Sequence, residues 1–371
     1  MIAGEVSGDL HGGALLQAVR AVDPSIEAFG MGGDRMAREG FRILRHAHEM
    51  AFLGFFEVVR HYPFIHKVYN EMKAALKTEK PDLLILVDYP GFNLKFAREA
   101  KKLGVPVLYY ISPQIWAWAG HRIHTIKKLV NHMVVFFPFE ETLYQDAGVP
   151  VTFVGHPLKD KFSVSESKET FFRKWGLDPA KKTIGLLPGS RKQEVTSLLP
   201  EMIGAAELLK KMFPDLQCLV AQTSSLPDAL YQPAMDHPFI QIVKDETYSV
   251  MAHADAVIVA SGTATLETAL ANTPMVILYK MAPISYWIGK HLVEVDHIGL
   301  VNIVAGKGIV PELIQHEATA KNISETLLPF LTDKEQVQKT KQELQIVSEK
   351  LGDKGAADRA AQVVLKMLEG K

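Results

Sequence analysis

Cysteine is nearly absent: Cys218 is the single one in 371 residues. That excludes a disulfide framework and any zinc site built on paired thiolates. Cys218 sits in Leu216-Gln217-Cys218-Leu219-Val220, the pattern of a buried strand, so an inert, packed thiol and a cytoplasmic compartment are expected. Net charge is missing too. Lys and Arg number 41 against 42 Asp and Glu, and the pI is near 6.9. A general nucleic-acid binder would show a basic excess, so no nucleic-acid partner is expected. No apolar run approaches the ~18 residues needed to span a bilayer. The nearest, 105–120, is broken by Pro106, Ser112, Pro113 and Gln114. Signal peptide, short repeats and low-complexity tracts are also lacking, so the protein is expected to be soluble or to lie on a membrane surface. What remains is an ordinary globular mixture, 47% hydrophobic and 22% charged. At about 150 residues per domain, two domains are expected.

Strand-like and helix-like segments alternate along the chain. Strands are expected at 82–88, 105–111, 132–137, 183–187, 217–221, 240–243, 254–260 and 275–279, mostly as unbroken runs of Val, Ile and Leu. Such runs mark strands covered on both faces. Helical stretches such as 64–77 and 201–212 lie between them, which argues an α/β chain of parallel sheets with crossover helices. A strand-like 151–154 leads into Gly155-His156-Pro157-Leu158, after which the alternation restarts, and the polar stretch 159–170 reads as a linker. The expected domains are 1–160 and 161–345, with a segment at 346–371 that returns to the first domain. From 333 onward the tail reads as two helices broken at Gly352-Asp353-Lys354-Gly355. Only Met1-Ile2-Ala3 precede the first glycine-rich segment, where a strand of about 5 residues is expected.

Six segments carry candidate chemistry. Ala3-Gly4-Glu5-Val6-Ser7-Gly8-Asp9-Leu10-His11-Gly12-Gly13 reads as a glycine-rich turn before a helix beginning at Ala14. It lacks dinucleotide spacing, and either a ligand loop or a tight turn fits. Asp88 ends an apolar strand, where ligand crevices form in open α/β sheets; it is a general base or the anchor of a backbone turn. Ile111-Ser112-Pro113-Gln114-Ile115-Trp116-Ala117-Trp118 also follows a strand, and its tryptophans suit packing better than recognition. Behind it, His121, Arg122, His124, Lys127 and Lys128 form a basic stretch. No third metal ligand accompanies the histidines, so a solvated or phosphate-facing helix is preferred.

Pro188-Gly189-Ser190-Arg191 runs from a strand into a helix, offering turn N–H groups and a guanidinium fork to a phosphate without the P-loop pattern. Ser261-Gly262-Thr263 repeats the geometry. Glu267 follows in the helix; a capping box would need Ser or Thr at 264, which is Ala, so a hydroxyl-binding carboxylate is attractive. Asn302 interrupts an apolar run and either fixes a loop or touches a ligand.

In this order, AGEVSGD, SPQIWAW, LLPGSR, ASGTATLE and LVNIVAG resemble lipid-A-disaccharide synthase, from Ile2 to about Gln315 and more weakly beyond. The resemblance implies a GT-B architecture: two doubly wound Rossmann-like domains facing across a cleft, the last helices packing back on the first. It implies an inverting transfer from UDP-2,3-diacylglucosamine to 2,3-diacylglucosamine 1-phosphate, giving the β-1,6 disaccharide of lipid A and UDP. By matching motif, Asp88 becomes the base for the acceptor 6-hydroxyl. Gly189, Ser190, Arg191, Ser261, Gly262 and Thr263 hold the diphosphate, Glu267 the ribose, and Asn302 lines the donor pocket. Ser7, Asp9, His11 and Gln114 fall to the acceptor side. So do Phe55, Phe56, Val58 and Val59, from an apolar segment expected to carry acyl chains. Some relatives have an acid where Gly91 stands, so no second acid is invoked. No cofactor and no metal are expected, in keeping with the lack of an Asp-x-Asp pair. The expected setting is peripheral, at the cytoplasmic face of the inner membrane of a Gram-negative cell; a second copy of the chain is a further partner to test. The competing readings are another GT-B enzyme, such as a UDP-sugar 2-epimerase, and a non-catalytic sugar-nucleotide or lipid-binding protein.

Overall fold

The computed structural model describes residues 1–50, 61–281 and 296–370. The chain divides into two compact units: Met1–Pro157 with Leu351–Lys371, and Leu158–Lys350.

Unit 1 is built on a seven-stranded sheet in the order β3-β2-β1-β4-β5-β6-β7, with every pairing parallel. The strands are β1 Ile2–Ala3, β2 Phe29–Gly32, β3 Arg42–His46, β4 Leu84–Val87, β5 Val107–Tyr110, β6 His132–Val135 and β7 Val151–Phe153. Successive side chains point to opposite faces, and the core divides accordingly. Leu84, Leu86, Val107, Tyr109 and Met133 pack on one face with Val68, Met72 and Phe96 of the crossover helices. Ile85, Val87, Leu108, Tyr110 and Val134 pack on the other with Leu15, Leu16, Ala360 and Val364. The last helix, Ala356–Glu369, therefore completes this second layer.

Unit 2 has a six-stranded parallel sheet, β10-β9-β8-β11-β12-β13. Its strands are β8 Thr183–Leu187, β9 Gln217–Gln222, β10 Ile240–Lys244, β11 Ala256–Ala260, β12 Met275–Tyr279 and β13 Glu312–Ile314. Helices Lys192–Met212 and Ala320–Thr332 cover one face. Cys218 is fully buried within β9, where desolvation pushes its thiol far up, away from the reactive thiolate. Among the described residues no helix is long and apolar enough to cross a membrane.

Three stretches of helix and three strands differ from the sequence expectation. The glycine-rich segment is not a turn: a helix spans Val6–Val22, beginning eight residues before Ala14. Its glycines serve close packing. A Cβ on Gly8 would lie 3.3 Å from that of Ala3, and one on Gly12 only 2.9 Å from Met36 Sδ. The polar stretch 159–170 carries a short helix at Leu158–Lys161 and opens another at Lys168–Lys174. Strands β2, β3 and β13 have no counterpart in the expected set.

Candidate active site

In each sheet the strand order reverses once, between β1 and β4 in unit 1 and between β8 and β11 in unit 2. Open α/β sheets bind ligands outside the carboxyl ends of the strands at such a switch point. Four of the candidate segments follow these four strands.

In unit 1, β1 leads to Gly4-Glu5 and β4 to Asp88-Tyr89. Asp88 and Tyr89 are both left-handed, with φ of 45° and 47°. The turn is held from beneath: the Asp88 carbonyl accepts Nδ2–H of the fully buried Asn93 at 2.7 Å and the Tyr109 hydroxyl at 2.6 Å. Burial, and then the charge of Glu5, push the Asp88 carboxyl up to about 6; the Tyr89 N–H opposes them. A carboxylate poised there can accept a proton near neutral pH.

Ser7 stands exposed in the first turn of Val6–Val22, and His11 one turn on, its ring 5.4 Å from that of Phe136. Gln114 is exposed before the short helix Ile115–Trp118. Asp9 requires a correction. Its carboxylate is buried and accepts three backbone N–H groups: Gly33 at 2.7 Å, Arg35 at 3.0 Å and Met36 at 3.0 Å. It caps the helix Asp34–Arg38 rather than facing a ligand. Phe55, Phe56, Val58 and Val59 lie outside the described residues.

The segment after β5 is built on a buried carboxyl. Glu140, 3% exposed, accepts Trp116 Nε1–H at 3.2 Å and the Phe137 N–H at 3.2 Å. Desolvation nevertheless holds it up at about 7. Ser112 and Tyr144 share a buried hydrogen bond of 2.9 Å alongside.

In unit 2 a cavity of about 720 Å³ is lined by Gly189, Ser190, Arg191, Glu194, Tyr248, Ser261, Gly262, Thr263 and Glu267, among others. Gly262 has φ of 148°, and a Cβ there would meet nothing within 4 Å, leaving room for a ligand at the start of the helix Thr263–Leu270. The 189–191 turn is an anion nest already holding an anion. Glu194 accepts the Ser190 N–H at 3.0 Å, the Arg191 N–H at 3.2 Å and an Arg191 guanidinium N–H at 2.8 Å. Arg191 is otherwise exposed and free to turn to a phosphate. Glu267 is held up by burial, opposed by the Tyr248 hydroxyl, which donates to Oε1 at 3.0 Å, and by the charge of Lys161.

Asn302 is the second correction. It is fully buried; Nδ2 donates to the Val310 carbonyl at 2.9 Å and to Glu312 at 2.7 Å, while Oδ1 accepts the N–H groups of Ile309 and Val310. Two donors and two lone pairs are thereby spent. It pins the loop before β13, and it does not appear among the residues lining the cavity.

A family model described as lipid-A-disaccharide synthetase matches residues 1–367. The chain belongs to the lipid-A-disaccharide synthase family. It is 46% identical over 373 residues to the lipid-A-disaccharide synthase of Geobacter metallireducens, the match covering 100% of this chain and 97% of that protein. Solved structures place the fold. A UDP-N-acetylglucosamine 2-epimerase aligns at TM-score 0.62 with 11% identity, covering 100% of this chain and 96% of its own. The calicheamicin glycosyltransferase CalG4 aligns at 0.59 with 16% identity and coverages of 100% and 96%. The two parallel-sheet α/β units are thus those of the GT-B architecture, and the family is one of glycosyltransferases.

Glu5, Tyr109, Glu140, Glu194 and Tyr248 were not singled out from the sequence. Tyr248 had a usable signal: it follows the end of β10, as the other pocket residues follow theirs. Glu140 had none, because its partner Trp116 is 24 residues away.

Proposed function

We propose that this chain transfers 2,3-diacylglucosamine from its UDP conjugate to the 6-hydroxyl of 2,3-diacylglucosamine 1-phosphate, with inversion, releasing UDP. The observation that carries the reading is Asp88, a carboxyl raised to about 6 at the switch point of unit 1. Ionised, it takes the proton of the 6-hydroxyl as that oxygen bonds to the anomeric carbon. The bond from that carbon to the β-phosphate oxygen breaks, and the electron pair leaves with UDP. In unit 2, the Arg191 guanidinium and the N–H groups of Gly262 and Thr263 at the start of the helix Thr263–Leu270 meet the charge that develops on the leaving group. Glu267 takes the ribose hydroxyls. Acyl chains on both substrates favour a peripheral station at a membrane surface, for which we propose the cytoplasmic face of the inner membrane.

Asp88→Asn tests the reading by UDP release with and without the acylated acceptor. General-base loss typically costs roughly 10²–10⁴ in rate. Turnover is expected to collapse by that factor while UDP binding, read by calorimetry, is unchanged. Near-normal turnover removes Asp88 as base.

A further inference from the structure

The acceptor in this reading carries a phosphomonoester, yet Asp88 and Glu5 at the edge of unit 1 are both acids. A phosphate brought there needs a cation, and the segment after β5 supplies one. Val87 pairs with Tyr110 in the sheet, so the chain leaving β5 starts beside Asp88. Ile111 sits at φ 72°, a left-handed conformation that a β-branched residue adopts only when held. Its N–H bonds the Val134 carbonyl at 3.0 Å, and the Ser112–Tyr144 and Trp116–Glu140 bonds fix the residues that follow.

Of the two tryptophans, Trp116 is thus tied inward. Trp118 is 48% exposed, and the Arg122 guanidinium lies over its ring at 4.8 Å. Among the described residues no carboxylate pairs with Arg122, and its side-chain N–H groups make no protein hydrogen bond. Its charge still reaches the Tyr109 phenol, the group that donates to the Asp88 carbonyl. A planar cation with one face on an indole keeps its donor fork in the ring plane, where it can meet phosphate oxygens bidentately.

We infer that Arg122, steadied by Trp118, forms the subsite for the phosphomonoester of the acceptor. This rests on the acceptor reading above and adds the group that selects a phosphorylated sugar over its unphosphorylated counterpart.

The test is equilibrium binding of 2,3-diacylglucosamine 1-phosphate, and of the same compound without its phosphate, to the full chain in detergent. No turnover of either is required. Wild type is expected to prefer the phosphorylated compound by roughly 10- to 100-fold, the scale of a hydrogen bond to an ionised partner. Arg122→Ala is expected to erase the preference by weakening only that compound, and Arg122→Lys to restore part of it, with melting temperature and UDP affinity unchanged. Equal weakening of both compounds, an unchanged preference, or a wild type that shows none overturns the inference. Vesicles containing anionic phospholipid provide the second arm. Binding to them is expected to survive Arg122→Ala; its loss with the preference intact would assign the phosphate to a lipid headgroup and overturn the proposal. Failure of the base reading shows separately, as normal turnover in Asp88→Asn.

Discussion

Two consecutive left-handed residues, Asp88 and Tyr89, store strain at the proposed base, since that conformation costs roughly 1–2 kcal/mol per non-glycine residue. Asp and Asn tolerate it best, which is why Asp88→Asn probes the chemistry without disturbing the turn and Asp88→Ala would confound the two. The carboxyl is raised, so its ionised form is the disfavoured one in the folded state. The stability cost sets in as pH rises from the ordinary value of 3.8 and is complete above about 6, where the base becomes competent. Glu5 contributes to that rise. Glu5→Gln should move the acid limb of the kcat/KM profile to lower pH, and a limb that stays in place removes Glu5 from the account. In unit 2, Tyr248 donates to Glu267 and favours its ionised form. Tyr248→Phe should weaken UDP by roughly tenfold, the scale of a hydrogen bond to a charged acceptor, while 2′,3′-dideoxy-UDP is unaffected. Equal weakening of both nucleotides would make Tyr248 a packing residue only.

Elements differ in how openly the sequence declares them. β4 as Leu-Ile-Leu-Val and β11 as Ala-Val-Ile-Val-Ala are buried throughout and read directly as apolar runs. β3, with Arg42, Arg45 and His46, and β13, only three residues long, are edge strands with half-exposed side chains, so no such run exists to be read. β2 is Phe-Gly-Met-Gly, whose two glycines interrupt any apolar run. The helix Val6–Val22 was hidden by glycines that suit packing rather than helix propensity. In the candidate site, residues next to strand ends were legible because position alone marks them. Asp9 and Asn302 misled because a sequence shows a polar group but not its partner, which for Asp9 lies 24 residues away at Gly33. Glu140 shows what such a hidden group does to an element. Its carboxyl is held near 7 against an ordinary 4.5, so the native state keeps its proton longer than the unfolded chain does. Stability should therefore fall as pH rises from about 4.5 to about 7, by up to about 3 kcal/mol, and level off above. Glu140→Gln should flatten melting temperature against pH across that window; an unchanged slope would place the titration elsewhere.

At the scale of the molecule, unit 1 is discontinuous. The chain leaves it at Pro157 and re-enters at Leu351, and the seam is stitched by backbone. His156 N–H donates to the Leu351 carbonyl at 2.8 Å, and the Arg359 guanidinium caps the carbonyls of Val154, Asp353 and Lys354. Removing residues 351–371 should uncover Leu15, Leu16 and Val19, lower the melting temperature of unit 1 and leave UDP titration of unit 2 intact. Loss of both together would mean that unit 2 also depends on the tail. The same seam imposes an order on biosynthesis. While the ribosome makes Leu158–Lys350, a detour lasting on the order of tens of seconds at roughly 5–20 residues per second, the first sheet is already outside the exit tunnel with one layer incomplete. Its apolar face waits for Ala356, Ala360, Ala361 and Val364, which are translated only after unit 2. Unit 1 is therefore begun before unit 2 and completed after it, and its unfinished face is open to chaperones and to aggregation while unit 2 is already whole.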